Sequence, residues 1–208
     1  MQKSTIILVF LLLTGYAAAQ STGDTRFTFV LSPQISWMKS DMDKVDNGGS
    51  KMGYNFGLLV DYFFGDNYAV SSGLTINTTG GKLNYISTEN DNTLEARQRY
   101  NLRYIEIPVG LKLRSEDIKR MNIYGRFGLS PQLNIMAKDN NSKGISDEVS
   151  LLDLGYHIGG GIEYSVGGKN ALVFGLLFNN GFMDTTKRNG YNDKAILNRL
   201  VFEFGFIF

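Results

Sequence analysis

No cysteine occurs in the 208 residues. That excludes disulfides, thiolate metal sites, a cysteine nucleophile and a lipid-modified N-terminal cysteine. Histidine is nearly as scarce: His157 is the single one, too few ligands for a transition metal. An excess of one charge is also missing. The formal net charge is +1, which gives no electrostatic case for nucleic acid. Proline falls to 3 residues while glycine reaches 24 and aromatics 12%, a balance that favours tightly packed β structure over disorder. Past the N-terminus no apolar run approaches the ~18 residues of a spanning helix. The length suits one domain with a sizeable core.

What is present begins with Met1-Gln2-Lys3, a short positive segment, followed by an apolar core from Ile6 to Leu13 and an A-x-A site at Ala17-Ala18-Ala19. This reads as a secretory signal peptide, residues 1–19, with residues 20–208 as the mature domain. The apolar core is too short to span a bilayer as a helix. The mature protein is therefore expected to be exported, and any membrane span in it must be made of strands.

The last stretch sets the pattern for the others. Leu200, Phe202, Phe204, Phe206 and Phe208 share one parity, while Val201, Glu203, Gly205 and Ile207 share the other. A period of two marks a strand with two unlike faces. The same alternation predicts strands over 27–37, 53–64, 68–77, 104–113, 121–135, 152–164, 172–178 and 200–208. Polar stretches at 38–51, 78–99, 139–150 and 183–195 read as long connections, and 65–67, 114–120 and 167–169 as short turns.

Long and short connections alternate, so a meander places all long ones at one end. That layout is the one bacterial outer-membrane barrels use, with short periplasmic turns and long extracellular loops. An even strand count closes the sheet and removes its edges. A strand of about 11 residues tilted ~45° spans the ~25 Å lipid-facing band. The expected fold is all-β: an eight-stranded antiparallel up-and-down transmembrane β-barrel. Glycines 57, 73, 110, 128, 155, 159, 161, 175 and 205 all sit on the polar parity. A crowded bore needs such missing side chains; a water-facing surface does not. The apolar set is therefore expected to face lipid. Aromatics gather at strand ends as interface girdles, with Phe27, Tyr62, Phe64, Tyr68, Tyr164 and Phe208 at the short-turn end and Trp37 and Tyr54 at the other.

The segment Tyr104-Ile105-Glu106-Ile107-Pro108-Val109-Gly110-Leu111-Lys112 resembles the Y-x-E-I-P-x-x-x-K strand of the PorT-like outer-membrane β-barrel family of Bacteroidota (porin family, outer membrane protein β-barrel domain). Tyr124-Gly125-Arg126-Phe127-Gly128, the run from Asp153 to Tyr164 and the terminal Phe208 are similar to that family too. The resemblance covers the mature chain. It implies an outer-membrane barrel assembled by the barrel-assembly machinery through its C-terminal strand, with Phe208 as the signal. It implies no single activity, although PorT itself belongs to a secretion and gliding apparatus.

The inward parity carries Asp61, Glu106, Lys112, Arg126, Asp153, His157, Glu163, Arg199 and Glu203. Charges in so small a bore must pair or meet water, so these are expected to form a polar network. Eight strands are too few for an open diffusion pore. Asp153 and His157, with Ser130 or Ser165, hint at a hydrolytic arrangement, but no G-x-S-x-G elbow or other catalytic motif accompanies them. Gly159-Gly160-Gly161 and Gly80-Gly81 are not followed by the lysine and helix of a P-loop. Asp41-Met42-Asp43 with Asp46-Asn47-Gly48-Gly49 lacks the closing glutamate of a calcium loop. No cofactor, metal or catalytic residue is expected. The expected partners are outer-membrane lipid and lipopolysaccharide, with a protein or glycan ligand at the long loops, which carry Tyr85, Tyr100 and Tyr191. The reading is a non-enzymatic surface barrel. Its alternatives are an accessory barrel of a secretion or gliding machine and a lipid-active barrel enzyme.

If the bulky apolar parity faces outward, the mature polypeptide will fold only in detergent or lipid. Size-exclusion chromatography of refolded protein in plain buffer should show aggregate; a folded monomer there would overturn the arrangement.

Overall fold

Backbone pairing carries the chain around a closed ring. The computed structural model describes residues 23–40, 45–89, 92–186 and 195–208, so the expected signal peptide and Tyr191 lie outside the described residues. The strands are β1 (Thr25–Ser40), β2 (Val45–Gly49), β3 (Lys51–Gly65), β4 (Tyr68–Glu89), β5 (Asn92–Glu106), β6 (Val109–Arg114), β7 (Met121–Lys138), β8 (Leu152–Gly167), β9 (Asn170–Gly181) and β10 (Ala195–Ile207). All pairings between them are antiparallel. β10 returns to pair with β1, Phe29 opposite Phe206 and Trp37 opposite Asn198. Closure leaves the sheet without a free edge in the barrel wall.

The ten strands make eight staves. β5 and β6 are one stave interrupted by Pro108, which lacks an N–H for the ladder. The register runs through the break: Glu106 opposes Thr75 and Gln132, and Val109 opposes Ser72 and Leu129. β2 prolongs β3 along β4, where Gly49 opposes Lys82. Short turns close β3–β4, β6–β7 and β8–β9 at one end. In the last, Gly167 and Gly168 hold φ of 134° and 60°, values that side chains rarely tolerate.

Two expected loops are sheet instead. The polar stretch 78–99 continues β4 to Glu89 and begins β5 at Asn92, and the segment 38–51 contains β2. Where its side chains are described, the stretch 78–99 still alternates, but with the polarity reversed. In the barrel wall Leu74, Ile105, Ile107 and Val109 point out while Thr75, Glu106 and Gly110 point in. Above it Lys82, Arg97 and Arg99 point out while Leu83, Tyr100 and Leu102 are buried inside. The outer face has passed from lipid to water, so the inner face must now supply the apolar core. Averaged over such a stretch, the residues read as polar loop.

The inward glycines sit where neighbouring staves approach closely. A Cβ on Gly161 would lie 2.5 Å from the Cα of its partner Gly175, and one on Gly128 2.5 Å from the Cα of its partner Gly110. The tight inner curvature of a small barrel leaves no room for methyl groups at these pairs. The Gly161→Val substitution should cost roughly 1–3 kcal/mol or more by overpacking. The urea midpoint of the protein in lipid vesicles will report it, while the exposed Gly144, with nothing near its would-be Cβ, should accept alanine at no measurable cost.

Candidate functional site: the filled bore

Alternation places every second side chain of each stave in the bore. Three layers result. At the short-turn end Arg26 from β1 and Arg114 from β6 both lie over the Phe63 ring, 4.9 and 5.5 Å from its centroid. They line a mouth of about 460 Å³ together with Asp24 and Asp66. The Arg26 guanidinium donates to Asp24 at 2.9 Å and holds that carboxyl below its ordinary range.

The next layer is charged. Lys112 from β6 sits 2.5 Å from Asp61 and 2.6 Å from Glu163, all three almost fully buried. The Ser71 hydroxyl donates to Asp61 at 2.6 Å, and the Tyr124 ring lies 5.1 Å from the ammonium. Arg114 approaches Glu163 at 3.9 Å and Arg26 at 4.0 Å. Among the described residues Asp61 ion-pairs with Lys112 alone, while Glu163 meets three cations. Arg126 from β7 pairs with Glu203 from β10 across the bore. Higher up, Arg199 meets Glu106 at 2.8 Å, and Asn77 and Asn179 also donate to Glu106. These pairs border a central cavity of about 60 Å³ lined by Ser32, Glu106, Arg126, His157, Arg199 and Glu203 among others. At ~10–15 Å³ per water, that holds about four.

The third layer was not legible in advance. At the long-connection end Met38, Leu83, Tyr100, Leu102 and Tyr104 pack with Ala137, Ile145, Val149, Ala195 and Leu197 inside the ring. Tyr100, expected on an outer loop, is fully buried here. Ile145 and Val149 come from the connection around the 3₁₀ turn Ser146–Glu148 and fold inward. The bore is thus stopped by apolar side chains above and by Phe63 with its two arginines below.

Asp153 and His157 do not make a catalytic pair. Both point inward from β8, but four residues of strand separate them by ~13 Å; a spacing that would bring two groups together on a helix keeps them apart here. Among the described residues no side chain hydrogen-bonds the Asp153 carboxylate. His157 Nδ1 instead lies 2.9 Å from the Ser130 hydroxyl, which accepts from Asn179 at 3.1 Å. All three are buried in the bore, away from any lipid surface. Ser165 is on β8 near the short-turn end, opposite Ala171. Among the described residues no group of three metal-ligating side chains exists. Of the calcium-like segment, residues 41–44 lie outside the description, and the Asn47 carboxamide accepts from the Gly49 N–H at 2.7 Å within its own turn.

Outside the ring, Phe27 stacks on Phe208 at 6.1 Å and Phe64 on Tyr68 at 6.3 Å. Tyr164 lies under the Arg120 guanidinium at 5.6 Å, and Tyr62 is half-buried opposite Val70. Trp37 leans on Phe178 at 6.2 Å and Tyr54 on Phe56 at 6.2 Å, both on the half toward the long connections. Among the described residues no helix is long and apolar enough to cross a membrane.

A family model described as "Outer membrane protein beta-barrel domain" matches residues 15–187. No curated protein matches the chain. Among solved structures, the neisserial surface protein A is similar at 14% identity, covering 86% of this chain and 95% of that one, with a TM-score of 0.49. The outer membrane protein OprG from Pseudomonas aeruginosa is similar at 12% identity over 89% and 97%, TM-score 0.48. Ail, the attachment invasion locus protein of Yersinia pestis, solved with the heparin analogue sucrose octasulfate, is similar at 14% identity over 89% and 99%, TM-score 0.43.

Replacing Lys112 by Met leaves Asp61 and Glu163 buried without their shared cation, which should cost about 3–5 kcal/mol. The urea midpoint in detergent micelles will show the loss, and the triple change K112M/D61N/E163Q should recover most of it. A single K112M variant as stable as the wild type would show that water reaches this layer freely.

Proposed function

The chain belongs to the outer membrane protein beta-barrel domain family, and from that premise we propose that it is a non-enzymatic barrel whose filled bore is a rigid scaffold for a surface built by the long connections. The observation that carries this reading is the double stopper: apolar side chains at one end, Phe63 with two arginines on its ring at the other, and a central cavity of about 60 Å³ between them. A passage for solutes needs continuous space, and a hydrolase needs a substrate to reach its nucleophile; neither fits a bore packed this way. The polar network then serves to fill and fix the interior.

In this reading the signal peptide of residues 1–19 directs export, Phe208 belongs to the strand recognised by the barrel-assembly machinery, and the long connections face the exterior, where a protein or glycan ligand would meet them. The girdle aromatics Phe27, Tyr62, Phe64, Tyr68, Tyr164 and Phe208 hold the short-turn interface, with Trp37 and Tyr54 toward the other. A second reading, an accessory barrel of a PorT-like secretion or gliding machine, rests on the Tyr104–Lys112 motif and predicts periplasmic partners.

Planar-bilayer recording decides the first point: the reconstituted protein should give no conductance steps, and discrete openings in the wild type would overturn the scaffold reading. His157→Ala should leave any lipid hydrolysis by the preparation at background. Crosslinking in native membranes followed by pull-down should return no stoichiometric periplasmic partner; recovery of one favours the machine component.

A further inference from the structure

Where the outer face changes from apolar to polar, one sector of the wall is unusually cationic. Along β5 the outward residues run Arg97, Arg99, Asn101, Arg103 and then Ile105, with Ile107 just past its end. Lys82 on β4 lies directly opposite Arg99, and Lys138 on β7 directly opposite Asn101. Side chains opposite one another in an antiparallel pair share a face with Cβ atoms ~5 Å apart, and like charges so placed repel. Arg97 donates to the Asn84 carboxamide at 3.1 Å. Lys82, Arg99, Arg103 and Lys138 make no ion pair among the described residues, and the half-buried Arg103 has its Nε without a hydrogen-bond partner.

At the short-turn end Arg26, Arg114 and Lys169 each lie within 4.0 Å of a carboxylate, while Arg120 packs on the Tyr164 ring. The outward cluster stands directly above the lipid-facing band, and no carboxylate among the described residues pairs with Lys82, Arg99, Arg103 or Lys138. At ~3.3 Å per residue and ~45° tilt, Arg103 stands ~5 Å and Arg99 ~14 Å above the level of Ile105. That is the depth of a headgroup layer, ~5–8 Å thick on a phospholipid leaflet and thicker where the headgroup is a sugar.

We propose that Lys82, Arg99, Arg103 and Lys138 form a binding site for the phosphates of an anionic glycolipid headgroup in the adjoining leaflet. Two arginines offer forked donors matched to phosphate oxygens, and the two lysines flank them from the neighbouring staves. The acyl chains of the same lipid would lie on Ile105, Ile107, Ile76 and Leu133 below, so charge and apolar surface are in the order such a molecule requires. The site rests on the reading above that the long connections face outward.

The test uses the full-length mature protein in neutral detergent, titrated with diphosphoryl lipid A and, separately, with its dephosphorylated form, bound lipid being counted by native mass spectrometry. The wild type should bind the phosphorylated form and lose it on dephosphorylation. K82Q/R99Q/R103Q should weaken binding roughly a hundredfold, at about fivefold per cation, and K82R/R99K/R103K should keep most of it. Heat-modifiable gel mobility checks folding of each variant; should the glutamine variant fail to fold, the dephosphorylated lipid and the charge-keeping variant still decide. Equal binding of both lipids overturns the site, as does a soluble sulfated oligosaccharide that binds this face as tightly as the lipid. A wild type that binds no lipid A yet stays closed in planar bilayers sinks this site and leaves the scaffold reading intact; conductance steps with lipid binding retained would do the reverse.

Discussion

In hydrocarbon the backbone amide of a strand has no partner except another strand, and every unpaired one costs several kcal/mol. Closure of the ring through β1 and β10 meets that demand. The rest of the molecule depends on it. Once the sheet is closed on itself with eight staves, the bore is narrow, its inner positions must be small or mutually paired, and its outer positions are free to be bulky. The glycine pairs at 110/128 and 161/175 and the Lys112–Asp61–Glu163 trio are consequences of the same curvature.

Burying so many charges brings no stability by itself, since desolvation offsets most of the attraction between partners. What it does is make one arrangement of the bore much better than others. Asp61 is held from two staves, by Ser71 and Lys112, and Glu106 from three, by Asn77, Asn179 and Arg199. A register slip of one stave would turn those charges into lipid. The network therefore fixes register, and Asp153, which no side chain among the described residues hydrogen-bonds, stands apart from it.

Much of this was legible from alternation alone. The sense of each strand in the wall, the side facing lipid and the end carrying the long connections follow from residues such as Phe202, Phe204 and Phe206 set against Glu203 and Gly205. Two features were hidden for definite reasons. Polarity averaged over 78–99 conceals that Leu83, Tyr100 and Leu102 alternate with Lys82, Arg97 and Arg99, because the two faces exchange character once the wall leaves the lipid. The spacing of Asp153 and His157 suggests a pair only if the pitch is helical; on a strand it separates them.

The sequence by itself determined the period, the parity and the strand count, because a strand's two faces record their surroundings residue by residue. Which inward residue meets which, and that the bore is stopped at both ends, only the tertiary structure decided. Such contacts join staves distant in the chain, as Arg126 joins Glu203, and depend on barrel curvature and stagger, which no local pattern encodes.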